Sequence, residues 1–169
     1  KEIKCVVWDL DNTLWKGTLL EDQEVELNPG VEKIISELDN RGILHSIASK
    51  NDYATAMDKL REVKLDHFFL YPEIHWNAKS TSIGKIQKNL NIGMDAILFI
   101  DDQPFERDEV QSAHAEVSCV DAALYRDFLD DPRLNSRHIT TDASRRRLLY
   151  LENMQRERDE ESFEGPREE

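Results

Sequence analysis

The chain has only two cysteines, Cys5 and Cys119, far apart in the sequence. They make no disulfide framework and fit a reducing cytosol. No apolar run reaches the roughly 18 residues needed to cross a bilayer, and no secretory signal precedes the first apolar segment. A cytoplasmic protein without membrane attachment is therefore expected. Positive charge is also scarce: 22 Lys and Arg against 35 Asp and Glu leave a net charge of −13. That balance argues against a nucleic-acid partner, because phosphate backbones require Lys and Arg. His45, His67, His75, His114 and His138 form no metal-ligand spacing. There is no internal repeat and no low-complexity linker.

The 169 residues, 39% of them apolar, suffice for one domain with a real core. Short apolar strands alternate with amphipathic helices, which predicts an α/β fold with a parallel sheet covered on both faces. Strands are expected at Ile3 to Trp8, Ile43 to Ala48, His67 to Tyr71, Ala96 to Ile100 and Glu116 to Val120. Val31, Ile34, Ile35 and Leu38 recur at helical spacing, with Pro29 and Gly30 at the start and Gly42 suited to the C-terminal cap. Further helices are expected at Asp52 to Val63, Ser80 to Leu90 and Phe105 to Ala113. A long charged helix should run from Asp142 to about Phe163, with Leu148, Leu149, Leu151 and Met154 as its packing stripe. The core is expected over about 1–130, with a loop from Asp130 to Ser136 before that helix. The acid crowded between Glu157 and Glu169 reads as a solvated face and tail.

The densest signal is Cys5-Val-Val-Trp-Asp9-Leu-Asp11-Asn12-Thr13-Leu14-Trp15. An apolar strand that ends in paired carboxylates needs compensation for their charge. A hard cation such as Mg²⁺ takes oxygen ligands of this kind. Ser49-Lys50-Asn51 follows the second strand and opens a helix, where a hydroxyl and backbone N–H groups suit a phosphate oxygen or simply a helix cap. Lys79 stands just before another helix, where its charge can neutralise a transferring phosphoryl group and Asp9 together. Phe99-Ile100-Asp101-Asp102 repeats the opening logic. Asp102 is favoured as the direct metal ligand and Asp101 as the neighbour holding Lys79, although the order could be reversed.

These four segments, in this order, resemble the haloacid dehalogenase (HAD) superfamily. The resemblance implies a HAD-like Rossmannoid three-layer sandwich with about five parallel strands. In that family's chemistry Asp9 attacks phosphorus, Asp11 protonates the leaving oxygen and then activates water, and Lys79 completes the catalytic set. Thr13, Ser49, Lys50 and Asn51 would bind phosphate, and Asp9, Asp11, Asp101 and Asp102 would hold Mg²⁺. Between Leu14 and Asn28, and between Ser49 and Lys79, there is no room for a folded cap, so only a short flap is expected.

Finer wording resembles the FkbH-like branch of polyketide pathways. It lies in Lys4 to Gly17, Ser49-Lys50-Asn51, Phe99 to Arg107 and Arg145-Arg-Arg-Leu-Leu-Tyr150. Such proteins take the glyceryl unit of 1,3-bisphosphoglycerate, load it on the phosphopantetheine thiol of an acyl carrier protein, and remove phosphate. Lys50 and Arg107 are the candidates for the second phosphate. Lys16 departs from the Gly that many relatives have. The alternative is a capless Mg²⁺-dependent phosphatase acting on a protein or sugar phosphate. The chain, which starts without Met, is read as one domain over 1–169 cut from a larger synthase. Trp15 either covers the substrate or staples the flap. Cys5 and Cys119 read as structural, and whether either carries an acyl group is open.

Overall fold

Strand β1 (Cys5–Trp8) occupies the middle of the sheet because both its faces are apolar. Cys5 and Val7 point into one core and Val6 and Trp8 into the other, as the two-residue period of a strand requires. The computed structural model describes residues 2–22, 24–135 and 141–164. It places five parallel strands in the order β5-β4-β1-β6-β7, with β4 at Leu44–Ser49, β5 at Glu73–Ile74, β6 at Ile97–Asp101 and β7 at Ser118–Asp121. The chain leaves β1 for β4 on one side and later returns to β6 on the other. β1 is thus the point where strand order reverses, and open α/β sheets bind ligands there.

Helices α1 (Val31–Asn40) and α2 (Tyr53–Glu62) cover one face through Ile34, Ile35, Leu38, Ala56 and Leu60. Helices α3 (Lys79–Leu90) and α4 (Pro104–Ala113) cover the other through Ile83, Ile86, Leu90 and Val110. Gly42 follows α1 with φ of 82°, and a Cβ there would lie 3.0 Å from Ala143. That position combines a left-handed helix stop with a close approach, and glycine satisfies both. The flap is a two-stranded hairpin of β2 (Trp15–Lys16) and β3 (Glu26–Leu27).

Two expectations are corrected. The third strand does not lie at His67 to Tyr71: Asp66–Phe68 is a helical turn, and Phe69 makes a single bridge to His45. Tyr71 then turns with φ of 49°, and Pro72 offers no N–H to a ladder, so pairing resumes only at β5. The C-terminal helix is broken into α5 (Thr141–Ser144) and α6 (Arg146–Glu164). Its packed arc is Tyr150, Leu151 and Met154, with the Tyr150 hydroxyl donating to the Leu90 carbonyl at 2.7 Å. Leu148 and Leu149 fall outside that arc and are exposed. His138, Ser136 and the tail 165–169 lie outside the described residues. No helix among the described residues is long and apolar enough to cross a membrane.

Ile86→Ala should cost about 3 kcal/mol by urea denaturation, because it empties a wholly buried site. Leu149→Ala on the exposed side of α6 should stay within about 0.5 kcal/mol.

Candidate active site

Asp9 follows β1, Asp101 ends β6 and Lys79 opens α3, so the topology brings all three to the C-terminal edge of the sheet. All three are buried. The Lys79 ammonium donates to Asp9 Oδ1 at 2.9 Å and to Asp101 Oδ2 at 2.6 Å. The Gln103 amide donates to the other oxygen of Asp101 at 2.9 Å. Thr13 donates its hydroxyl to Asp9 Oδ2 at 2.9 Å and reaches Asp102 Oδ1 at 3.3 Å. Asp9, Asp101 and Asp102 each present an oxygen within 4.8 Å of the others.

Asp9, Lys79 and Asp102 face a cleft of about 260 Å³ lined also by Asp11, Asn12, Thr18, Lys50, Trp76, Gln103 and Glu106. A larger cleft, about 320 Å³, opens at the opposite end of the sheet beside Lys4. Its Arg41, Arg133 and Arg146 are engaged by backbone carbonyls and Asp131.

The structure brings Asp9, Lys79, Asp101, Asp102, Thr13 and Lys50 together. The Asp11 side chain stands apart from the acidic group of Asp9, Asp101 and Asp102. Both Asp11 oxygens are taken by the Trp15 indole, the Leu19 amide and the Asn51 side chain. Ser49 is buried at the end of β4, outside the cleft lining. Arg107 is also outside it, donating to the Asp101 carbonyl at 2.9 Å and reaching Asp121 at 3.3 Å. His75 pairs with Glu73 at 2.9 Å, while its neighbour Trp76 forms the rim. Glu106 carried no expectation, yet it is 3% exposed and sits 3.2 Å from the Lys50 ammonium and 3.9 Å from that of Lys79. Its signal was positional: a Glu two residues after the Pro that opens α4, on the turn that faces the cleft.

Residues 13–121, more than half of the chain, match the haloacid dehalogenase-like hydrolase family. The chain belongs to this family. The solved structures agree. One is the N-terminal part of a Bacteroides fragilis protein, containing a phosphatase domain and complexed with Mg. It is 29% identical with a TM-score of 0.63 over 83% of this chain. The present chain spans only 42% of that one. A HAD-superfamily hydrolase from Ehrlichia chaffeensis is 15% identical with a TM-score of 0.56, covering 72% of this chain and 87% of its own. The cobalt-bound deoxy-D-mannose-octulosonate 8-phosphate phosphatase of Haemophilus influenzae is 19% identical with a TM-score of 0.56, covering 75% and 74%. These two share the fold. No curated protein matches the chain.

The charge balance of this hydrolase site fits a divalent cation. Burial pushes the Asp9 carboxyl up to about 6, with Asp102 adding to the rise and Lys79 opposing it. Burial and the Asp9 charge bring Asp101 up to about 6 as well, against Lys79 and the Gln103 amide. Asp102 is also raised, chiefly by burial. Burial works against the Lys79 charge, and the Asp9 and Asp101 carboxylates outweigh it, so its pKa is raised. Three carboxylates thus face one bridging ammonium, and the donors are all hard oxygens of the kind Mg²⁺ takes.

Asp9 and Asp101 favour the folded state in their protonated form. That contribution is full below the ordinary value of 3.8 and is lost as pH rises through about 6. Mg²⁺ needs the ionised oxygens, so it should raise Tm by several degrees at about pH 7.5 and hardly at all at about pH 5. Equal shifts at both would contradict this charge balance. Lys79→Met without Mg²⁺ should cost about 3–5 kcal/mol in urea unfolding, because it leaves buried carboxylates unpaired.

Proposed function

We propose that this domain is a Mg²⁺-dependent phosphatase and glyceryl transferase acting with an acyl carrier protein of a polyketide pathway. One observation carries the phosphatase reading: Asp9 at the end of β1, bonded to Lys79 and grouped with Asp101 and Asp102, in a cleft with no cap over it among the described residues. Asp9 is the nucleophile. Its oxygen bonds to phosphorus as the bond to the leaving oxygen breaks, and Asp11 gives that oxygen a proton. Asp11 then takes a proton from water as the water oxygen attacks phosphorus and frees Asp9. Lys79 neutralises Asp9 and the charge gathering on the phosphoryl oxygens. Asp9 and Asp102 would hold Mg²⁺, with Asp101 fixed behind them by Lys79 and the Gln103 amide. When bound, the ion supplies further positive charge to the phosphoryl oxygens.

The finer substrate rests on the FkbH-like wording of the motifs and on the open mouth. Trp76 is 61% exposed on the rim, and Phe105 is 71% exposed near Lys50. An uncapped site with apolar groups at its edge suits a substrate carried on another protein. In the first reaction the carrier thiolate attacks the acyl carbon of 1,3-bisphosphoglycerate, phosphate leaves, and a thioester to the phosphoglyceryl unit forms. In the second, water and the Asp9 chemistry remove the remaining phosphate. The thiol comes from the carrier: Cys5 is wholly buried and its thiol is pushed up by burial, and burial brings Cys119 to about 11.

A plain phosphatase acting on a protein or sugar phosphate is the second reading, favoured by the Bacteroides neighbour's phosphatase domain complexed with Mg. Intact mass of a holo carrier protein separates the two after incubation with Mg²⁺ and freshly generated 1,3-bisphosphoglycerate. The wild type should add glyceryl, and Asp9→Asn should stop at phosphoglyceryl. No mass gain, with free phosphate still appearing, would leave only the plain phosphatase.

A further inference from the structure

The Asp11 carboxylate is held by three N–H donors from two parts of the molecule. Oδ1 accepts from the Trp15 indole at 2.9 Å and from the Leu19 amide at 3.1 Å. Oδ2 accepts from the Asn51 side-chain amide at 3.0 Å. Trp15 and Leu19 belong to the flap segment, with Trp15 paired to Leu27 across the hairpin, whereas Asn51 follows β4. Trp15 is wholly buried, so its indole is fixed in direction. Asn51 is 1% exposed, and its own Oδ1 has no hydrogen-bond partner among the described residues. Asp11 itself faces the cleft.

The two oxygens of Asp11 are therefore not equivalent. Oδ1 can keep both of its N–H donors whether it belongs to a carboxylate or is the carbonyl oxygen of the neutral acid. A proton on Oδ1 would crowd one of those donors out and leave a buried N–H unpaired. Oδ2 has a single donor and lone-pair room to carry a proton.

We propose that Trp15, with the Leu19 amide, is a positioning residue that locks Oδ1 of Asp11 and makes Oδ2 the oxygen that exchanges protons. This rests on the reading of Asp11 as the acid–base group. As the Asp9–phosphorus bond forms and the bond to the leaving group breaks, the Oδ2 proton passes to the departing oxygen. When water attacks phosphorus and the Asp9–phosphorus bond breaks, a water proton returns to Oδ2. The flap thereby sets the geometry of proton transfer as well as bounding the cleft.

Trp15→Phe keeps an aromatic ring in the buried site and removes the N–H. The readout is kcat/KM with Mg²⁺ for an alkyl phosphate and for p-nitrophenyl phosphate. Proton donation matters most when the leaving oxygen is basic, and a positioned acid is worth about 100–10,000-fold. The alkyl-to-aryl ratio should fall about tenfold in Trp15→Phe and further in Asp11→Asn. A Trp15→Phe protein that slows both substrates equally, while Asp11→Asn changes the ratio, would overturn the positioning role. An unchanged ratio in Asp11→Asn would instead remove Asp11 as the acid. A second measurement needs no Trp15 variant: the indole N–H resonance of Trp15 should shift in Asp11→Asn, and an unmoved resonance would contradict the contact.

Discussion

The Lys79 ammonium lodged between Asp9 and Asp101 is the contact on which the rest of the site depends. It ties the end of β1 to the end of β6 and to the first turn of α3, three elements that meet only where the strand order reverses. Without that charge, two buried carboxylates would face each other with only hydrogen bonds to hold them. With it, they still exceed the positive charge available, which leaves the site short of a cation. Glu106 extends the same network to Lys50, so the positive charge on the rim is fixed by the first turn of α4.

A second network governs Asp11. It stands two residues from Asp9 but is turned to the flap and to Asn51, because Asn12 adopts φ of 56° and reverses the chain. Asn12 and Gly17 then close that reversal on each other through two bonds, at 3.1 and 2.9 Å. Two aspartates at adjacent strand-parity positions thus enter different environments: Asp9 is gathered with metal-type oxygens, and Asp11 is suspended among N–H donors. Environments of that kind allow one carboxylate to bond phosphorus and the other to handle protons.

Much of this was legible in the sequence. The apolar runs of β1, β4 and β6 declared themselves as doubly buried strands, and the acids at the ends of β1 and β6 marked the edge that carries the site. Of the two orders weighed for Asp101 and Asp102, the Lys79 contact falls on Asp101, and both carboxylates stand in the acidic group. The misses share a cause: tertiary context decides what local pattern leaves open. A β-like run at His67 to Tyr71 gives way to a turn because Tyr71 and Pro72 cannot continue a ladder. Leu148 and Leu149 look like a helical stripe, but the docked arc is set by Tyr150 on Leu90. Asp11, Trp15 and Glu106 acquire their partners only when flap, β4 and α4 converge, and no spacing in the chain encodes that meeting.

Whether Asp9 takes the phosphoryl group is read most directly by trapping it. Rapid acid quench after mixing with phosphate ester and Mg²⁺, followed by reduction with tritiated borohydride, expels the phosphate and leaves labelled homoserine where the phosphorylated carboxylate was, which peptide mass analysis locates. A Mg²⁺-dependent label at position 9 itself is the predicted result. Label on another residue, or turnover of phosphate with no labelled residue at any quench time, would contradict it.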